Sequence, residues 1–369
     1  MTREVRNISD TLQLYSSVSI FAIFAYLITH LLLNSASISG TPTIKPYDKF
    51  DLEKDIEKLH EVAKKVPNRA PDGDTMVRMV CHRTRDQRMQ MKKAFKDKFD
   101  QDIASYCGGA ADGEISLEDL LVDCFTSVLE IYVFHFYWEL DYMFKSIDKH
   151  SLVEILLSVP PQEKEKFVSI YNETYRITPD QHVKDKVKDP EVHDLILRML
   201  SKNRKPDITP DKIDWELAKK EATILNEGRK KWKETPEELE RILLETPIQQ
   251  LNATFVEFQK VNGKEIDEVM KKKLGRDLRE CYKAMVHFVK DKYDYYAGRL
   301  HYAMKGCGTQ DHVLNRIVSI HCEDDLKEIA TAFQLNTADS LIDAIAADTT
   351  LHHEMLLTCL AGKHTVKEC

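Results

Sequence analysis

Residues 304–329 read MKGCGTQDHVLNRIVSIHCEDDLKEI, a glycine-bearing turn followed by apolar residues at Leu314, Ile317 and Val318. Spacings of three and four residues put side chains on one helical face. Taking Phe333 as a landmark, Leu314 stands nineteen residues earlier, Ile317 sixteen and Val318 fifteen. The same offsets recur upstream of three other aromatic residues. Phe95 is preceded by Met76, Met79 and Val80, Tyr171 by Leu152, Ile155 and Leu156, and Phe258 by Leu239, Ile242 and Leu243. The landmarks are separated by 76, 87 and 75 residues. At a mean helix length of ~11–12 residues, each interval holds about five short helices. The longer middle interval contains Ser201–Pro210, a polar stretch twice interrupted by proline, which divides the chain into two pairs of repeats. The expected fold is therefore all-α. Composition agrees: 369 residues with 43% hydrophobic, 31% charged, and only 12 Gly and 12 Pro leave few turn residues for a fold of many short strands.

The turn that precedes the fourth copy carries chemistry. Gly306 and Gly308 let the backbone adopt conformations closed to other residues, so the carbonyls of Met304, Gly306 and Gly308 can converge on one point. Asp348, separated from Thr309 by the thirty-eight residues 310–347, supplies one carboxylate. Calcium takes ~6–8 oxygens from carboxylates, carbonyls and water. Three carbonyls and a bidentate Asp348 leave positions open and the ion incompletely neutralised, a combination suited to a lipid phosphate. The net charge of −8 makes attraction to anionic lipid or nucleic acid a local matter or one supplied by a bound cation. An anionic phospholipid surface is the expected partner, and no nucleic acid is expected.

MKGCGTQDHVLNRIVSIHCEDDLKEI together with IAADTT at 345–350 resembles the fourth repeat of an annexin, in which a GxGT loop and a distant acid form a type II calcium site. The resemblance is dense over 207–365, persists as a pattern over 46–206 and is absent before Asp48. It implies a curved array of four repeats with calcium loops on the convex face, and no enzymatic activity. The implied units are a tail at 1–45, then repeats at 46–125, 126–206, 207–290 and 291–365. Its metal ligands map onto Met304, Gly306, Gly308 and Asp348, with calcium as cofactor.

The other three repeats depart from that pattern. Residues 65–74 (KVPNRAPDGD) hold two prolines and no GxGT, and Asp72 and Asp74 suit a turn and helix cap before Thr75. Residues 143–150 (MFKSIDKH) lack glycine. In the third repeat GRKKW at 228–232 is followed by KETP, and Lys273 stands where the acid would be, placing positive charge at the ion position. Lys230, Lys231, Trp232 and Lys233 either meet acidic headgroups directly or form a solvated loop with Trp232 partly packed. DGEISLED at 112–119 resembles half an EF-hand loop, but Gly108 and Ala110 occupy its first ligand positions, so an insertion ending in a helix cap is expected.

Val18–Leu33 is apolar except for Ser19, Thr29 and His30, and is followed by small residues at 35–37. This segment, about 15–33, reads either as a signal peptide or anchor, or as a soluble tail packed on the repeats. The eight cysteines show no CxxC pairing and no zinc-site spacing, consistent with reduced intracellular thiols, with Cys307 at the loop crest. HExxH, GxSxG and Gly-Lys-Ser/Thr are absent, and His82, His301, His312 and His321 read as surface or half-buried helix residues. The leading expectation is calcium-dependent attachment of a cytoplasmic, peripheral protein to membranes. The alternative is a calcium-insensitive scaffold for membranes or proteins, located in the secretory pathway or anchored through 15–33.

Overall fold

The computed structural model describes residues 40–65, 70–110, 114–141, 146–201, 204–228, 230, 232, 237–306 and 308–363. The apolar segment 15–33, the small residues at 35–37, Cys307 and the KETP stretch lie outside them. Among the described residues there are twenty α-helices and no strands, in four groups of five. The first group is α1 (Leu52–Ala63), α2 (Gly73–Cys81), α3 (Arg85–Phe99), α4 (Ile103–Ala110) and α5 (Ile115–Cys124). The second is α6 (Val128–Asp141), α7 (Lys149–Ser158), α8 (Lys164–Tyr175), α9 (Pro179–Lys186) and α10 (Pro190–Ser201). The third is α11 (Trp215–Gly228), α12 (Glu237–Glu245), α13 (Ile248–Asn262), α14 (Ile266–Lys273) and α15 (Arg276–Lys290). The fourth is α16 (Lys292–Ala303), α17 (Asp311–His321), α18 (Leu326–Thr337), α19 (Leu341–Asp348) and α20 (Leu351–Leu360).

The apolar offsets found in the sequence fall on the second and third helix of every group. Phe95, Tyr171, Phe258 and Phe333 are buried, as are the residues nineteen, sixteen and fifteen positions before each. Five residues after each landmark the third helix stops at a residue in the left-handed region: Asp100 (φ 53°), Arg176 (φ 58°), Gly263 (φ 74°) and Ala338 (φ 68°). In each case that residue's N–H donates to the carbonyl four residues back, closing the helix end. Only the third group places glycine there, so the other three accept a steric cost to keep the same exit.

The groups join through reciprocal packing. Helix α17 lies against α5 and α20 against α2, coupling groups one and four, while α15 packs on α7 to couple groups two and three. Group four also reaches group two. The Glu154 carboxylate on α7 accepts from Arg316 Nη2 at 2.9 Å and Nε at 3.1 Å, and from Arg299 Nε at 3.3 Å. Arg299 Nη2 donates to Asp148 Oδ2 at 2.6 Å. Burial alone would raise the Asp148 carboxyl, but the adjacent Arg299 outweighs it and holds Asp148 below the usual carboxylate range. Between groups one and four, Glu323 accepts from the Arg85 backbone N–H at 2.6 Å and from Arg88 Nη2 at 2.9 Å.

Residues before the first helix join this interface. Thr43 N–H donates to Cys322 O at 2.8 Å and its hydroxyl to Leu360 O at 2.6 Å, while the Thr41 hydroxyl donates to Glu328. The expectation that all cysteines are reduced does not hold. Cys81 at the end of α2 and Cys359 near the end of α20 form a disulfide across 278 residues, Cα–Cα 6.0 Å. Packing of α2 on α20 brings together residues that no spacing rule connects. Cys107, Cys124, Cys281 and Cys322 are free and buried. Burial raises their thiols, Cys281 and Cys322 to about 12, which leaves them unreactive. His321, expected at or near the surface, is buried against Asp325, its Nδ1 lying 2.6 Å from Oδ1.

Two outcomes follow for stability. Ala338→Gly should raise the unfolding free energy by about 0.5–1 kcal/mol, measured by urea denaturation, because it relieves the left-handed strain at an exposed helix end. Reduction of Cys81–Cys359 should destabilise by about 2–4 kcal/mol, read as a lower thermal midpoint with reductant than without. A Cys359→Ser variant should show the lower midpoint in both conditions.

Candidate functional site

The loop between α16 and α17 starts where α16 runs out of helical partners. Met304 is the C-cap of α16, its N–H donating to Leu300 O, and the Gln310 N–H donates back to Ala303 O at 2.8 Å, closing the loop's base. Between them the chain bulges outward. Gly306 has φ 110° and Gly308 φ 86°, the left-handed region that glycine enters without steric cost. Both are exposed, and a Cβ built on either would meet nothing within 4 Å. These glycines are therefore demanded by backbone direction rather than by tight packing.

Asp348, the last residue of α19, comes to this loop through Thr309. The Thr309 hydroxyl lies 2.6 Å from Asp348 Oδ2 and 3.0 Å from Asp348 O. A thirty-eight-residue excursion through α17, α18 and α19 thus returns the carboxylate to the turn. Spacing and the GxGT pattern point to Asp348 as a ligand, while Thr309 belongs to that pattern without a ligand role of its own. Its position after Gly308, and a hydroxyl able to hold a carboxylate, were the available signals. A half-exposed carboxylate, two left-handed glycines and open space above them fit a hard, oxygen-seeking cation.

The corresponding places in the other groups are engaged otherwise. Asp72 caps α2, accepting from Thr75 N–H at 3.0 Å and Thr75 Oγ1 at 2.7 Å. Those bonds hold its carboxyl below the usual range. Asp148 caps α7 through His150 N–H at 2.9 Å and also holds Arg299. Trp232 is only 3% exposed, with its ring 6.3 Å from that of Phe258. Of the two expectations for Trp232, the packed one describes it, and the packing is complete rather than partial. Lys273 is exposed at the end of α14. Glu114, before α5, makes no side-chain cap there and instead reaches group four, Oε1 lying 2.9 Å from His352 Nδ1 and Oε2 accepting from His353 N–H at 3.3 Å. Cys81, His82 and Cys359 are the one His/Cys/Asp/Glu group among the described residues close enough to hold a metal, and the disulfide already engages two of them.

Comparison with known proteins covers this region and most of the chain. The family model described as Annexin matches residues 295–360, which contain both the loop and Asp348. Chicken (Gallus gallus) annexin A5 is 27% identical over 326 residues, 87% of this chain and 97% of its own length. Mouse (Mus musculus) annexin A13 is 26% identical over 314 residues, covering 84% and 95% respectively. Among solved structures, chicken annexin V in complex with Zn2+ superposes with a TM-score of 0.75 at 25% identity, covering 88% of this chain and 99% of that one. Calcium-bound annexin (Sm)1 shares the fold, with a TM-score of 0.75 at 22% identity over 88% of this chain and 93% of its own.

The Thr309–Asp348 contact generates a direct test. Thr309→Val keeps the side-chain shape but removes the hydroxyl that orients the carboxylate. Calcium affinity measured by calorimetry without lipid should fall roughly tenfold, the scale of one hydrogen bond to a charged group, with circular dichroism unchanged.

Proposed function

Since this chain belongs to the annexin family, whose members are generally non-enzymatic, calcium-dependent phospholipid-binding proteins, we propose that it attaches to anionic membranes through a single calcium ion in the fourth repeat. The ion would be held by the carbonyls of Met304, Gly306 and Gly308 and by the carboxylate of Asp348, a type II arrangement. Calcium supplies the positive centre that the chain's own charge of −8 does not. The observation that carries the reading is the Thr309–Asp348 contact beneath two exposed left-handed glycines. We take the repeats to run over 46–125, 126–206, 207–290 and 291–365.

One ion gives weak attachment, because several loops on one surface would raise the effective concentration for each later contact. The engaged or substituted positions in repeats one to three support that expectation. A cytoplasmic, peripheral location suits calcium-regulated attachment. The Cys81–Cys359 disulfide instead supports the secretory-pathway alternative, since disulfides persist in oxidising compartments. No helix among the described residues is long and apolar enough to cross a membrane, and segment 15–33 lies outside them.

Calcium titration of the full chain without lipid, with neutral vesicles and with acidic vesicles tests the proposal. The affinity should sit at ~10⁻⁴–10⁻³ M without lipid, the range of low-charge calcium modules. It should tighten with acidic vesicles only, by the same factor that calcium strengthens membrane binding. Asp348→Ala should remove most calcium-dependent sedimentation with acidic vesicles while helical content is kept. Coincident curves in all three conditions, or an undiminished calcium response in the variant, would leave the calcium-insensitive scaffold as the better account.

A further inference from the structure

Beside the fourth-repeat loop stand two aliphatic residues whose placement serves no packing purpose. Leu351, the first residue of α20, has φ 56° and is 70% exposed. A left-handed conformation is sterically costly for a non-glycine residue, and an exposed leucine recovers little of that cost through burial. Strain of this kind persists where the surroundings enforce it and often marks a functional position. Ile115, the first residue of α5, is 71% exposed. The two residues therefore open the fifth helix of groups four and one.

The structure also brings these helix starts together. Glu114, immediately before Ile115, contacts the ring of His352 and accepts from the N–H of His353, the two residues after Leu351. The start of α2 closes on the same place, since a Cβ on Gly73 would lie 2.6 Å from His352 Nε2. Asp348, three residues before Leu351, is tied to the loop by Thr309. Leu351 also borders one end of a cavity of about 140 Å³ that runs along α20 past Glu354 and Cys359 to Lys363 beyond the helix's far end, and Arg78 in its wall pairs with Asp74 at 3.4 Å. The two exposed aliphatic side chains thus stand at helix starts that meet each other and the glycine loop.

We infer that Ile115 and Leu351 form an aliphatic contact that enters the acyl boundary of an anionic phospholipid bilayer beside the fourth-repeat calcium ion. This inference rests on the membrane reading of that loop. Its chemistry is complementary to a bilayer surface: the ion at phosphate depth, and apolar side chains just beyond it. Acidic groups nearby make the insertion conditional. Asp74 is exposed, and Glu114 and Asp348 are partly so. Without calcium these carboxylates oppose the approach of anionic lipid, and a bound ion offsets them. The arrangement also recruits the first repeat, which lacks a GxGT loop, to the membrane contact of the fourth.

Cosedimentation of the full chain with phosphatidylserine–phosphatidylcholine vesicles at saturating calcium tests this. Leu351→Gly removes the aliphatic group and permits the left-handed backbone, so its thermal midpoint should equal or exceed that of wild type while vesicle affinity falls roughly tenfold, the scale for partial burial of one such side chain. Ile115→Ser, in the first repeat and outside the ion ligands, should lower affinity on the same scale. Vesicle binding by both variants equal to wild type overturns the inference and leaves the calcium reading standing. Unchanged vesicle binding with lost self-association in analytical ultracentrifugation also overturns it, assigning the pair to a second copy of the chain. Failure of wild type itself to bind vesicles with calcium overturns the membrane reading and this inference together.

Discussion

The Glu154 carboxylate sits between two guanidinium groups, and the arrangement of the chain's halves depends on it. Arg316 on α17 and Arg299 on α16 both donate to Glu154 on α7, so one acid from the second repeat is clasped by two bases from the fourth. All three residues are buried. Removing three charged groups from water is costly, and their attraction offsets that cost only while the geometry is kept. Loss of one partner would strand the others, at about 3–5 kcal/mol. The network consequently specifies one relative position of α7, α16 and α17. Because α16 ends and α17 begins at the loop bearing Gly306 and Gly308, the same constraint sets where that candidate site stands.

A second constraint runs from the fourth repeat to the first. Glu323 holds Arg85 and Arg88, the Cys81–Cys359 disulfide ties α2 to α20, and Thr43 bonds to carbonyls at the ends of α17 and α20. The fourth repeat is thus the hub, joined to the second through ions and to the first through ions, a disulfide and the segment entering α1. Elsewhere, groups at the corresponding loop positions serve structure. Asp72 and Asp148 cap helices, and Trp232 fills the core beside Phe258. A carboxylate satisfied by backbone N–H groups or a guanidinium has little left to offer a cation. Repeats can therefore keep the helical frame while abandoning the ion chemistry.

Much of this organisation was legible in the sequence. The apolar offsets before Phe95, Tyr171, Phe258 and Phe333 reflect helical periodicity and gap-free spacing, both local properties, and they fall on the second and third helices of each group. The glycines of the fourth-repeat loop were legible because only glycine enters the left-handed region freely. Less legible were Asp100, Arg176 and Ala338, which adopt that region without being glycine. Their backbone is imposed by the common exit from the third helix, so residue type carries no trace of it. The part played by Thr309 was similarly hidden, since a hydroxyl acquires meaning only when a carboxylate arrives beside it.

The sequence alone determined an all-α array of repeated units and the residue types at one candidate calcium loop, because periodicity, glycine and spacing act over tens of residues at most. Tertiary structure decided which distant residues meet. It paired Cys81 with Cys359, buried Trp232, placed Glu114 against His352 and set Ile115 and Leu351 on one exposed surface. Each of these outcomes depends on how the first and fourth groups, or the helices within a group, pack against one another. Such packing is fixed by the summed burial of many side chains and by a few buried ion pairs, neither of which any short stretch of sequence contains.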